Sequence, residues 1–162
     1  EKAFRDSTLD ESLKKLKWQT PAEAFNIPAK EKKKSIVFIN TSWCNSCRVM
    51  QRTSFIDDQV FHYADSTYRF VNFNPEIKDT LNYLGKSYIN KANPQMPFHD
   101  LSVLLSRNNL IIPTMAFLDE NNTLIDAVSF YLPPAILKKI LFYYGEDIYK
   151  SKTWEEFMQT QN

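Results

Sequence analysis

The chain runs to 162 residues, 43% hydrophobic and 14% aromatic, which suffices to bury one sizeable core and is short for two. With 20 basic and 19 acidic residues the formal net charge is +1, so no global field recruits nucleic acid or an anionic membrane. The only two glycines, Gly85 and Gly145, exclude glycine-rich phosphate loops and dinucleotide fingerprints, and no apolar run reaches the roughly 20 residues of a membrane-spanning helix.

From Ser7 to Trp18, Leu9, Leu13 and Leu16 recur at spacings of four and three, which predicts an N-terminal helix packing on the core. Thr20-Pro-Ala-Glu23 is a capping box with proline at the first helical position, so a helix starts there and Pro28 breaks it. The charge run Lys30-Glu-Lys-Lys-Lys34 reads as a solvated loop. Ser35 to Asn40 is a short apolar run with β-branched residues, as expected of a central strand buried on both faces. Beyond the two cysteines, Val49, Met50 and Phe55 begin a helical pattern that continues through Val60, Phe61 and Ala64, and Arg69 to Phe73 reads as the next strand. Strand, helix and strand in that order make a parallel pair with a right-handed crossover.

Thr80 to Ala92 alternates around Gly85 and predicts a hairpin, and Phe98 to Ser106 carries Leu101, Leu104 and Leu105 as a short helix. Thr114 to Asp119 and Thr123 to Phe130, joined by a turn at Glu120-Asn-Asn122, form an antiparallel pair. Pro133 and Pro134 open a final long helix through Tyr144, with Gly145 at its stop. A second capping box, Thr153-Trp-Glu-Glu156, opens a short helix bearing Trp154, Phe157 and Met158. The order β, α, β, α, β, β, α, with helical additions at both ends and no internal repeat, predicts a single α/β domain over residues 1–162.

Both cysteines lie in Trp43-Cys-Asn-Ser-Cys47, directly after the apolar strand. Two cysteines make a local switch or nothing, since a disulfide scaffold uses several pairs at wider spacing. Cys44 falls at the N-terminus of the following helix and Cys47 one turn later on the same face, so the pair can close a disulfide with little backbone movement. Unpaired amides and aligned peptide dipoles stabilise a thiolate there, and Cys44 gains most. A free thiol titrates near 8.5, whereas Cys-X-X-Cys sites range from roughly 3.5 to 7.5. A drop of two pH units is worth about 2.7 kcal/mol. Cys44 is then the attacking nucleophile and Cys47 the resolving thiol, with Arg48 adding a nearby positive charge. A c-type haem site requires histidine where Arg48 stands. Zinc would need two further ligands, and the spacing of His62 and His99 matches no familiar finger. No metal or organic cofactor is implied; the alternative is a pair of small buried structural thiols.

Trp43-Cys-Asn-Ser-Cys47 after an apolar strand resembles the active-site motif of the thioredoxin superfamily. Ile112-Pro113-Thr114, also before an apolar strand, resembles the cis-proline segment that faces the cysteines in that family. A cis X-Pro bond is accessible at roughly 0.5 to 1 kcal/mol in a free chain. The resemblance covers about 22–144. It implies a thioredoxin fold, a mixed central sheet flanked by helices, with a β-hairpin insertion at about 80–92, an N-terminal helical extension and a C-terminal one at about 146–162. Cys47-Arg-Val-Met50, followed by Ser54, Phe55, Asp57 and Val60, is similar to the envelope thioredoxin-like branch. That branch includes disulfide interchange and isomerase-like proteins and the C-terminal domains of transmembrane disulfide reductases serving disulfide reduction and cytochrome c maturation.

The resemblance implies a monomeric thiol-disulfide oxidoreductase acting on protein thiols or disulfides, with reductase, oxidase and isomerase as three open directions. It further implies a membrane electron-transfer protein as candidate partner, and a periplasmic or otherwise extracytoplasmic home after removal of a signal peptide, the cytoplasm being the alternative. Cys44 and Cys47 are carried over as catalytic, and Trp43, Asn45, Ser46, Ile112, Pro113 and Thr114 as substrate-binding. Three departures stand out. Phe38 occupies the position of a buried aspartate that assists the resolving thiol in thioredoxins. Asn45-Ser46 replaces the usual glycine and proline, and Ser129-Phe130-Tyr131 replaces a small glycine-bearing loop. They keep a second reading in play, a redox-inactive thioredoxin-fold peptide-binding or chaperone-like module with a structural disulfide. Glu76, beside Pro75, is a candidate to approach the site; Trp18, Trp154 and the tyrosines read as packing, and His62 as a surface histidine.

Overall fold

The apolar run after Lys33 is buried at every position from Lys34 to Ile39, as a strand covered on both faces must be. The computed structural model describes residues 16–161. Its strands are β1 (Trp18–Gln19), β2 (Lys34–Ile39), β3 (Tyr68–Phe73), β4 (Leu81–Tyr83), β5 (Lys86–Tyr88), β6 (Thr114–Leu118) and β7 (Leu124–Ser129). Its α-helices are α1 (Pro21–Phe25), α2 (Asn45–Arg52), α3 (Asp58–Thr67), α4 (Asp100–Leu105), α5 (Pro134–Gly145) and α6 (Trp154–Gln159), with a 3-10 turn at Ile148–Lys150. Five strands form one mixed sheet in the order β1-β3-β2-β6-β7, and β4 pairs with β5 as a separate hairpin. β1 and β2 run parallel to β3, whereas β6 is antiparallel to β2 and β7 to β6.

Side chains alternate across this sheet and build two cores. Ile36, Phe38, Tyr68, Phe70, Met115 and Phe117 point to one face, where Met50, Val60, Ala64, Leu137, Leu141 and Phe157 cover them from the helices α2, α3, α5 and α6. Val37, Ile39, Val71, Phe73, Ala116 and Leu118 point to the other, under Ala24, the hairpin residues Leu81 and Tyr83, and Leu101 and Leu105 of α4. Both capping boxes close as their spacing dictates: Thr20 with Glu23 starts α1, and Thr153 with Glu156 starts α6.

The structure differs from the sequence reading at several places. The expected N-terminal helix lies up to residue 15 outside the described residues, and Trp18, placed at its end, instead begins β1 opposite Phe70. Its ring packs against Phe38, Phe55 and Phe70, a contact only an edge strand beside β3 can make. Lys34 does not belong to a solvated loop. It opens β2 with its side chain buried, its Nζ 3.0 Å from Glu120 Oε2 and 3.1 Å from Asp147 Oδ1. The helical pattern from Val49 to Ala64 is two helices, because Ser54 donates to the Leu132 carbonyl and Asp57 turns its carboxylate onto the amides of Gln59 and Val60 to start α3 afresh. Gly145 is the last residue of α5, while the left-handed position lies at Asp147, φ 61°. A Cβ on Gly145 would run into the Tyr63 hydroxyl and Thr67 Cγ2, so glycine there lets α5 approach α3 closely. Among the described residues, no helix is long and apolar enough to cross a membrane.

Candidate active site

β2 delivers the chain to Asn40, and the turn Thr41 to Cys44, closed by the Cys44 amide on the Thr41 carbonyl at 3.3 Å, leads into α2. Cys44 is the N-cap of that helix. Its Sγ accepts the Cys47 amide at 3.1 Å, so sulfur takes the place that a serine or aspartate oxygen fills at ordinary helix starts. Cys44 and Cys47 are joined in a disulfide, with Cα atoms 5.3 Å apart. Ser46 Oγ stands 3.5 Å from Cys44 Sγ. Cys44 is 6% exposed and Cys47 1%, so the bond offers the outer sulfur to solvent and keeps the inner one in the core. Beside them Trp43 is 56% exposed, and Asn45 is exposed as well.

The opposite wall is set by sheet register. Ile39, at the end of β2, pairs with Thr114 at the start of β6, so the segment before Thr114 lies at the sheet end from which the cysteine turn leaves. The Ile112–Pro113 peptide is cis. Ile112, half-buried, packs on the same cluster that contains both cysteines. Thr114 is fully buried and places its hydroxyl between the Ile111 carbonyl and Ser129 Oγ, the latter at 3.0 Å, so it braces the proline segment rather than facing solvent.

Under the disulfide, Phe38 is sealed between Trp18 and Phe55, with ring centroids 6.0 and 4.9 Å away. An aromatic cluster therefore fills the core around residue 38, in the same cluster as both cysteines. Thr41 Oγ1, also buried, has no hydrogen-bond partner among the described residues. Glu76 sits exposed in the turn after β3, its amide held by Asn74, outside the hydrogen-bond network of the disulfide. His62 is exposed on α3, and His99 is buried below the hairpin with Nε2 2.7 Å from the Asp79 carbonyl. No group of three or more histidine, cysteine or acidic residues among the described ones could hold a metal ion.

One part of the site escaped sequence reasoning in its detail. After β7, Phe130 adopts φ 76° and donates its amide to the Pro113 carbonyl at 3.0 Å. Tyr131 Oη then lies 3.3 Å from Thr53 Oγ1, and the Leu132 carbonyl accepts from Ser54, both at the far end of α2. Residues 130–132 thus tie the proline segment to the cysteine helix. The replacement of a glycine-bearing loop was visible, but nothing in a phenylalanine foretells a left-handed backbone.

A mixed sheet in this order, a disulfide at the start of the helix after its central strand and a cis-proline at the facing strand define a thioredoxin-fold protein with a Cys-X-X-Cys pair. No protein-family model matches the chain, and no curated protein sequence does. Among solved structures, a thioredoxin-fold protein from Helicobacter pylori aligns over 86% of this chain and 88% of its own, at 13% identity and a TM-score of 0.60. A DsbH oxidoreductase aligns over 78% and 82%, at 18% identity and a TM-score of 0.50. The oxidised C-terminal domain of Neisseria meningitidis DsbD covers 90% and 95% at 14% identity, with a TM-score of 0.42, too low to add weight. At these identities the likeness establishes the fold.

Proposed function

We propose that the chain is a thiol-disulfide oxidoreductase that exchanges disulfides with protein substrates through Cys44 and Cys47. The observation that carries this is the position of Cys44 Sγ as the N-cap of α2, accepting the Cys47 amide. The donors and dipole that meet the sulfur there favour its anion.

In the reducing direction, the Cys44 thiolate attacks one sulfur of a substrate disulfide. The Cys44–substrate bond forms as the substrate S–S bond breaks, and the leaving thiolate takes a proton from water. Deprotonated Cys47 then attacks Cys44 Sγ, closing the Cys44–Cys47 bond and releasing the second substrate sulfur, so two electrons pass to the substrate. The oxidised pair seen here runs the same steps backwards on a substrate dithiol. Trp43, Asn45 and Ser46 border the nucleophile, and Ile112 and Pro113, braced by Thr114, offer the facing edge on which an extended substrate segment lies. The DsbH neighbour is named an oxidoreductase, which agrees with this reading. The extracytoplasmic home and the membrane electron carrier as redox partner rest on the resemblance of Cys47-Arg-Val-Met50 and the residues after it to the envelope thioredoxin-like branch.

Two variants test the roles: Cys44→Ser abolishes exchange, whereas Cys47→Ser accumulates a mixed disulfide detectable by mass. The redox-inactive peptide-binding alternative draws on Phe38 beneath the pair and on the low exposure of Cys44. Thiolate absorbance against pH separates the two. Cys44 titrating within roughly 3.5 to 7.5 is expected for catalysis, and a midpoint above 8 overturns it. Equilibration with glutathione buffers then assigns reductase, oxidase or isomerase.

A further inference from the structure

We propose that Phe130 sets substrate specificity by seating an apolar side chain adjacent to the reacting cysteine of a protein substrate; the inference rests on the oxidoreductase function proposed above. At 66% Phe130 is the most exposed large apolar side chain among the described residues. It also stands at φ 76°, the only aromatic among the left-handed residues described, in a region that glycine and asparagine occupy readily and a bulky residue does not. An exposed ring on an unfavourable backbone brings nothing to the fold that glycine would not supply better, and such strain persists where the surrounding structure enforces it.

Here the enforcement is visible. The Phe130 amide is bound to the Pro113 carbonyl at 3.0 Å, and the preceding residue shares a hydrogen bond with Thr114. The following two residues are tied to Thr53 and Ser54 at the end of α2. The ring is therefore held by its backbone frame beside the cis-proline and is two-thirds exposed. Trp43 projects on the cysteine side and Phe130 on the proline side. Aromatic side chains with two rotatable bonds lose little freedom when a partner covers them.

The surrounding charge argues for an apolar occupant. The three stretches that border the disulfide, Thr41 to Cys47, Leu110 to Thr114 and Val128 to Pro134, contain no charged residue. The nearest charge in sequence is Arg48, half-buried on α2 just beyond the first stretch. On the proline side, where Phe130 stands, a charged flanking residue of the substrate would lose water without a partner in these stretches, whereas an apolar one gains contact with the ring. One apolar contact of this size is worth about tenfold to a hundredfold in discrimination.

The test uses two disulfide-containing peptides identical except next to the cysteine, with leucine in one and aspartate in the other. Wild-type protein is expected to favour the leucine peptide about tenfold or more in kcat/KM. In Phe130→Gly that ratio falls to within about twofold of one, with the loss in KM, while Phe130→Leu retains most of it. Glycine suits a left-handed position, so the first variant keeps its fold. A wild-type ratio near one, or a ratio that survives Phe130→Gly, overturns the proposal. So does a wild-type dimer in sedimentation that Phe130→Gly dissolves, since the ring would then serve a second copy of the chain. Failure of wild-type protein to exchange with dithiothreitol removes the oxidoreductase function and this inference together. Exchange without dependence on residue 130 removes this inference alone.

Discussion

Lys34 ends a run of charge and is nonetheless buried, because its stem lies in the start of β2 while its ammonium reaches two carboxylates at 3.0 and 3.1 Å. Burial alone would lower its pKa, but the hydrogen bonds and charges of Glu120 and Asp147 outweigh that and raise it. Burial would likewise raise the Asp147 carboxyl, and Lys34 more than reverses this and holds it below its usual value. The depressed carboxyl contributes stability that is present above the unfolded value of about 4 and is lost as pH falls through the folded one. Lys34→Met is therefore expected to be about 1 kcal/mol less stable at pH 7, kept small because both carboxylates remain half-exposed to water. Urea melts as a function of pH check this. The gap to wild type closes as pH drops below 4; a gap that stays constant would show that the ion pairs contribute nothing.

At the level of elements, the hairpin of β4 and β5 is held by residues that precede it and residues that follow it in sequence. Asn26, just after α1, donates to the Thr80 carbonyl at 3.1 Å and accepts the Asn82 amide at 2.7 Å, mimicking a further strand partner. His99 reaches the Asp79 carbonyl through Nε2 and accepts the Leu101 amide on Nδ1, so one ring anchors the hairpin base and caps α4. Tyr83, its hydroxyl on the Asn122 carbonyl, has its pKa pushed up to about 12, mainly by burial. Removing two exposed hydrogen bonds costs about 1 kcal/mol. Asn26→Ala should thus loosen the hairpin locally, with faster hydrogen exchange at the Asn82 amide and little change at β2. Equal acceleration in both places would mean that the hairpin does not open by itself.

Across the whole molecule, the C-terminal segment closes the helical face of the sheet. Phe157 is buried against Phe142, Tyr143 and Trp154, and the Tyr143 hydroxyl donates to the Lys152 carbonyl at 2.6 Å. Lys34 joins the same region to the central strand through Asp147. Phe157→Ala empties a site in the main core, a change that costs about 3 kcal/mol or more. Denaturant unfolding is expected to show that loss in a single transition shared with the sheet. A separate early transition in wild type would instead mark the extension as an independent unit.

Short-range chemistry was legible in the residues. The capping boxes at Thr20 and Thr153 need partners only one turn away, the run from Ile36 to Ile39 declares a strand wet on neither face, and Cys44 and Cys47 meet by spacing alone. What depended on distant partners was not legible. β1 exists only because β3 offers an open edge, Lys34 is buried only because residues 86 and 113 positions later supply carboxylates, and Gly145 matters only because α3 lies against it. Phe130 is left-handed where the Pro113 carbonyl holds its own amide and the end of α2 holds the residues that follow it. A sequence states the preferences of neighbouring residues, whereas burial, ion pairing and backbone strain are decided by whichever groups the fold brings across the gap.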